Sequence, residues 1–298
     1  MYEQFFTPEA VASACIQRFH KSFPQVKSWC HVDAGSGEGA FLNFLQGKVN
    51  VIGVELDRAL AKRTGSVCAD FLKWKPASTL DRSKIVVVTN PPFTLTCRRG
   101  RHGERLRNIS GSFHFITHAF SFCDTVAALL PAGFGKPGKR AQIEKATHSS
   151  MVMGRHLGKV AFTQPDGSKT SVCVGWFVFS RVLSGCIADE LFSIPVNNHT
   201  NDFEFLPPYM HAQANIVVKR WGSVGRIESL SSLPTSSHMN HGSPTAGTMF
   251  WVKVRTGKMR AFKKACAWIR EHWPKLNPAN NSNIGMHDFV CVYNHVNN

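Results

Sequence analysis

The chain has 298 residues, 43% of them hydrophobic, which is an ordinary globular composition long enough to bury a full core, so disorder is not the expectation. Its 35 Lys and Arg against 19 Asp and Glu leave a net charge of +16, which points to a polyanionic partner: nucleic acid first, an acidic protein or a membrane surface second. Nine scattered cysteines with no Cys-x-x-Cys pair argue against a zinc ribbon and a disulfide framework, so reduced thiols, no metal and an intracellular compartment are expected. The first residues have neither a basic start nor a long apolar run, and no stretch reaches the length needed to span a bilayer, so a soluble protein with no membrane partner is expected.

Thr7-Pro8 reads as the N-cap and first position of a helix over Glu9 to Phe19, with Val11, Ala14, Cys15, Ile16 and Phe19 near helical spacing. A short strand from Trp29 then runs into Asp33-Ala34-Gly35-Ser36-Gly37-Glu38-Gly39 and a second helix. Glycines at 35, 37 and 39 let the backbone approach a ligand, and the spacing is not the Gly-x-Gly-x-x-Gly dinucleotide fingerprint. Val49 to Val54 reads as a buried strand delivering Glu55, either a holder of ribose hydroxyls or a solvated loop acid. Ser66 to Leu72 offers a third strand ending in Asp70-Phe71, where an acid beside an aromatic wall suits an adenine amino group; Asp70 could equally cap a helix.

The β-branched run Lys84 to Val88 predicts a fourth buried strand, ended by the double proline of Asn90-Pro91-Pro92-Phe93. In an open α/β sheet, ligands sit at the carboxyl ends of the strands. An amide, rigid carbonyls and an aromatic ring there suit a flat heterocycle with an exocyclic amine; the same tetrapeptide also reads as a plain rigid turn. Arg98, Arg99, Arg101, Arg105 and Arg107 follow with one acid, Glu104, between them. This run reads as a mobile, phosphate-gripping loop or as a solvated surface loop.

Gly111 to Cys123 predicts a helix with Phe113, Ile116, Phe120 and Phe122 inward, and Thr125 to Leu130 a fifth strand. Gly135 to Arg140 is expected as a second flexible basic patch, with Lys136, Lys139 and Arg140 as substrate-binding candidates. A helix and then a strand are expected over 148–160, and a long strand over Val172 to Phe179. The alternation predicts an α/β fold with a doubly wound, mostly parallel, seven-stranded sheet over residues 1–195. Residues 196–298, with 11 Lys or Arg against 5 acids, read as a basic α+β extension that helps substrate binding. Its strands are expected at 214–221, 249–254 and 289–293, and its helix at 258–273.

Asp33 to Gly39, Val54 to Asp57, Ala69 to Leu72 and Asn90 to Phe93 occur in the order and spacing of class I S-adenosylmethionine-dependent methyltransferases. The last element resembles the (Asp/Asn/Ser)-Pro-Pro-(Tyr/Phe/Trp) motif of amino methyltransferases, chiefly those acting on adenine N6. Phe6-Thr7-Pro8 resembles the leading motif of the gamma-ordered DNA adenine enzymes. The likeness covers about residues 2–180. It implies S-adenosyl-L-methionine as cofactor, with Asp33, Gly35 and Gly37 along its methionine and ribose, Thr7 near its carboxylate, Glu55 on the ribose hydroxyls, and Asp70 and Phe71 at the adenine. It implies that Asn90 and the Pro91 carbonyl accept the two hydrogens of an adenine amine, that Pro92 stiffens the turn, and that Phe93 stacks on the base. The partner so implied is DNA or RNA. The extension is small for a DNA target-recognition domain, which admits an RNA substrate, a partner subunit or a homodimer. Glutamine N5 methylation, served by a similar Asn-Pro-Pro-Tyr motif, and a catalytically silent nucleic-acid-binding subunit are the competing readings.

Overall fold

The computed structural model describes residues 4–95, 109–196, 199–220, 223–228, 249–276 and 283–297. The chain forms two compact units, Met1–Gly135 with Gln142–Asp189, and Lys136–Ala141 with Glu190–Asn298.

In the first unit, helix α1 (Glu9–Ser22) buries Ala12, Cys15, Ile16 and Phe19, the face that its apolar spacing dictates. Pro8, not Thr7, stands at its N-cap, and the Pro8 carbonyl accepts from the amides of Val11 and Ala12. Strand β1 (Cys30–Ala34) is buried throughout; α2 (Ala40–Leu45) and β2 (Val51–Glu55) follow. Asp57 caps α3 (Arg58–Thr64) by accepting from Ala59 and Leu60, and Gly65 ends it in the left-handed region. After β3 (Val67–Cys68) comes β4 (Ile85–Thr89), whose Ile-Val-Val-Val-Thr is buried on both faces as a central parallel strand requires.

Two short strands, β5 (Thr94–Leu95) and β6 (Ile109–Ser110), pair antiparallel and lead into α4 (Gly111–Ala119). Then come β7 (Thr125–Pro131), α5 (Pro137–Thr147), β8 (Ser150–Thr163), β9 (Lys169–Ser180) and β10 (Ile187–Ala188). The main sheet has eight strands rather than seven, in the order β10-β8-β9-β7-β4-β1-β2-β3. Among the described residues β9 runs antiparallel to both neighbours, and every other pairing in this sheet is parallel.

Two local expectations are corrected. The helix expected from His148 ends earlier, as α5 closes at Thr147 and residues 150–163 are one long strand, and the supposed flexible patch 135–140 is a tight turn running into the first turn of α5, started by Pro137 at a position that needs no amide donor.

The second unit contains α6 (Glu190–Ser193) and an antiparallel sheet of β11 (Phe203–Leu206), β12 (Ile216–Lys219), β13 (Ile227–Glu228) and β14 (Met249–Val254), ordered β11-β14-β12-β13. Helices α7 (Met259–His272) and α8 (Met286–Asn297) complete it. The strand expected at Phe289 to Tyr293 is the middle of α8. There Phe289 meets Phe262 of α7 at 5.2 Å and Phe203 of β11 at 5.8 Å, so packing against a helix and a sheet decides what a five-residue apolar run leaves open. Among the described residues all eight cysteines are free and no helix is long and apolar enough to cross a membrane.

Candidate active site

The site lies where the sheet changes direction of winding. From β1 the chain proceeds outward through β2 and β3 on one side, then returns to place β4 on the other, so the loops leaving β1 and β4 diverge and open a crevice between them. Ala34 and Thr89 are register partners, and the Thr89 hydroxyl donates to the Ala34 carbonyl at 2.7 Å. The glycine turn and Asn90 therefore start side by side.

Gly35, Gly37 and Gly39 have φ of 70°, 53° and 87°, a backbone path that side chains disfavour, and a Cβ on Gly37 would come within 3.3 Å of the Phe6 ring. Two buried acids shape this turn. Asp33 accepts the Leu42 amide at 2.9 Å and so ties β1 to α2; its other oxygen, Oδ1, is buried with no partner among the described residues. Burial pushes its carboxyl up to about 7, the Leu42 bond opposing and the Glu55 charge adding to the rise. Glu55 accepts from the amides of Gly37 and Asp57, both at 2.8 Å, and clamps the loops after β1 and β2 together.

Asn90 carries the most telling geometry. Its Nδ2 donates to the Phe5 carbonyl and to the Thr7 hydroxyl, each at 3.0 Å, so both amide hydrogens are used. Its Oδ1 is buried and has no partner among the described residues. The amino-terminal segment thus fixes which end of the amide is the acceptor. The Thr7 hydroxyl expected to cap α1 serves Asn90 instead.

Sequence reading missed the aromatic brace around this motif. Phe93 is half-buried, 5.4 Å from Phe5 and 6.3 Å from Phe162. Strands β8 and β9 pair beyond the point where β7 ends, since Pro131 faces Val174 while residues 169–173 pair only with β8. That projecting hairpin brings Phe162 to Phe93 and bridges Phe6 to Thr163. The Phe5-Phe6 pair next to Thr-Pro was the available signal; nothing local marks Phe162.

Asp70 and Phe71 stand next to the same crevice in different roles. Asp70 accepts the Leu72 amide at 3.1 Å and faces Lys73 at 3.4 Å, so it organises its own turn. Phe71 is buried against Phe115, with ring centroids 5.0 Å apart, and Phe115 in turn lies 3.6 Å from where a Gly35 Cβ would be. Phe115 therefore borders the glycine turn at Gly35, as Phe6 does at Gly37.

Arg98, Arg99, Arg101 and Arg105 lie outside the described residues. Lys136, Lys139 and Arg140 belong to the second unit. Lys139 is exposed, but Lys136 stands over the Trp273 ring at 5.0 Å and donates to the Asn283 carbonyl at 3.4 Å, and burial lowers its pKa. Arg140 is buried, its guanidinium donating to the carbonyls of Phe192 and Ile194 at the end of α6. Arg140 is a structural cation, which corrects its expected role in substrate binding.

A sheet with strands one to seven in the order 3-2-1-4-5-7-6, the seventh antiparallel, extended here by the short edge strand β10, is decisive for the architecture. The fold is the Rossmann-like methyltransferase fold.

No family model matches the chain, and no curated protein does. Solved structures with similar folds include a candidate RNA methyltransferase from Pyrococcus horikoshii, 22% identical at a TM-score of 0.45 over 61% of this chain and 88% of that one. A type I restriction-modification methyltransferase subunit from Streptococcus thermophilus is 17% identical at 0.44, over 62% of this chain and 46% of that one. The magnesium protoporphyrin IX methyltransferase of Synechocystis, crystallised with S-adenosylmethionine, is 10% identical at 0.39, over 58% and 79%. These are distant likenesses; the strand order carries the assignment of the methyltransferase fold.

Proposed function

We propose that the protein transfers a methyl group from S-adenosylmethionine to the N6 amine of adenine in a nucleic acid, DNA being favoured over RNA. The observation that carries this reading is Asn90 Oδ1, a buried acceptor at the carboxyl edge of β4 with no partner among the described residues, its orientation set by two hydrogen bonds from the other end of the amide. A buried acceptor left open in this way is costly unless a ligand donor uses it.

The residues present suit the cofactor. The bare, left-handed glycine turn admits close approach of a ligand backbone, and Glu55 keeps a second lone pair on each oxygen for hydroxyl donors. Asp33, fully buried, holds the turn from beneath through the Leu42 amide, and its Oδ1 is a second buried acceptor with no partner among the described residues. When bound, the cofactor supplies an electrophilic methyl group.

The protein's task is to prepare the amine. The lone pair of an adenine amino nitrogen is drawn into the ring. Asn90 Oδ1 and the Pro91 carbonyl accept its two hydrogens, which turns the lone pair out of the ring plane and aims it. No strong base is required, because the nitrogen becomes acidic as it is alkylated. Phe93, braced by Phe5 and Phe162, is the wall for the base. In a duplex the adenine must leave the stack, and the basic run 98–107, between β5 and β6, supplies charge for the backbone.

The test is incubation with methyl-labelled S-adenosylmethionine and matched single-stranded DNA, duplex DNA and RNA, followed by digestion to nucleosides. Label in N6-methyladenine or its ribonucleoside is the expected result. Its absence from every pool, or its appearance on protein glutamine, overturns the reading.

A further inference from the structure

The second unit holds 14 Lys and Arg against 6 Asp and Glu, a net charge of +8, and these charges are not evenly compensated. On and beside its sheet, cations and acids pair: Lys219 and Arg226 with Glu228, Lys253 with Glu204, and Lys258, at the start of α7, with Asp202. Asp288 accepts the Gly138 amide, and Glu271 faces His272. The residues of this unit outside the described ranges contain no Asp or Glu, so they bring no further acid.

Helix α7 is different. Phe262, Ala265, Cys266 and Ile269 are buried, and the opposite face exposes Arg260, Lys263 and Arg270. Among the described residues none of these three has a carboxylate partner. At 100° per residue they fall within about 80° of one another, and at 1.5 Å per residue the stripe is about 15 Å long. Lys264, on its flank, is already spent on the Val296 carbonyl at the end of α8. Between the three cations the face carries Ala267, with no amide or aromatic side chain placed to read a base edge.

We propose that the exposed face of α7 is a second nucleic-acid contact, holding the sugar-phosphate backbone through Arg260, Lys263 and Arg270 without reading sequence. It rests on the methyltransferase reading only for the choice of nucleic acid among polyanions. Uncompensated cations in a row satisfy a strand of phosphates, each contact releasing bound counterions. The one acid on this helix, Glu271 in its last turn, faces His272 and pairs with none of the three cations among the described residues.

The experiment uses the full chain and measures binding to labelled DNA and RNA of unrelated sequences over a range of salt, without cofactor, so that methyl transfer plays no part. The triple variant Arg260→Glu, Lys263→Glu, Arg270→Glu is compared with Arg18→Glu, Lys21→Glu, Lys27→Glu, which makes the same change of charge at exposed positions of the first unit. The α7 variant is expected to flatten the slope of log K against log salt by about 2 to 3, at roughly 0.9 per phosphate contact on duplex and 0.7 on single strands, equally for every sequence. The control is expected to keep most of its slope. Equal losses in both variants, or an unchanged slope in the α7 variant, overturn the proposal. So does loss of binding to anionic phospholipid vesicles with nucleic-acid binding intact. If the Glu variant does not fold, the corresponding Gln variant gives the same comparison with a smaller expected loss. Binding lost in the α7 variant while no substrate is ever methylated leaves the contact standing and removes the catalytic reading; the reverse pattern separates them the other way.

Discussion

Replacing Asn90 by Asp changes almost no volume and removes only the two hydrogens that the amide gives to Phe5 and Thr7, each across 3.0 Å. Thr7 can turn its hydroxyl and donate to the new oxygen. The Phe5 carbonyl has no proton to give and would face a carboxylate oxygen at that distance. One neutral hydrogen bond is worth roughly 1 kcal/mol and an unpaired buried acceptor costs roughly 1–3, so about 2–4 kcal/mol acts against the geometry that presents Oδ1 to the substrate. At 1.36 kcal/mol per decade, kcat should fall about 30- to 900-fold. The variant has one remedy, to bind a proton and donate to Phe5 as the amide did, so its deficit should shrink as pH falls. The assay is transfer of labelled methyl at saturating cofactor, wild type against Asn90→Asp, across about pH 6 to 8.5. The related motif tolerates Asp at this position, which makes the result informative. A variant as fast as the wild type at alkaline pH would show that the amino-terminal segment does not set the acceptor.

Three further outcomes are expected. Gly37→Ala meets both a φ of 53° and the Phe6 ring, and should lower unfolding free energy by about 1–2 kcal/mol in denaturant titrations; an unchanged midpoint would contradict the strain. Arg140→Ala leaves the Phe192 and Ile194 carbonyls without their charged donor and should destabilise the chain by about 2–4 kcal/mol, whereas exposed Lys139→Ala should stay within about 0.5; similar effects from both would count against the structural role of Arg140. For pH, His31 is fully buried, its Nδ1–H donating to the Trp29 carbonyl, which leaves Nε2 to accept from His20 at 3.0 Å. Burial lowers both imidazoles from 6.5 to about 4, so the unfolded chain takes up protons first. The stability present above pH 6.5 is then lost as pH falls toward 4, on the order of 3 kcal/mol for His31, and His31→Asn should flatten that acid limb in pH-dependent unfolding.

Strands β1, β2, β4 and β7 and the glycine turn were legible because each is a short β-branched or apolar run with sharp punctuation, and such local signals survive in any context. Strand β8 was obscured by its own irregularity: register shifts at Met151/Met153 and His156/Gly158 break the two-residue alternation that marks a strand. Phe289 to Tyr293 is too short for its period to separate helix from strand, and Phe203 and Phe262 make the choice from elsewhere in the chain. The site shows the same division. Asn90, Glu55 and the glycines were named from local pattern, but the service Thr7 performs depends on a partner 83 positions away, and Phe5 and Phe162 reach Phe93 only once the sheet and its projecting hairpin exist. Arg140 read as a surface cation because burial of a guanidinium by carbonyls leaves no trace in composition.

The pairing of Thr94 with Ser110 and of Leu95 with Ile109 has a consequence for how this protein can change. That clasp of β5 and β6 stands immediately after Phe93 and immediately before Gly111, whose amide donates to the Phe93 carbonyl. Because closing a connection costs only a slowly growing entropy as it lengthens, the sequence between these two paired strands can be lengthened, shortened or exchanged with little effect on the amide and aromatic groups beside the clasp. Recognition can then drift, or be grafted, while the chemistry stays in place.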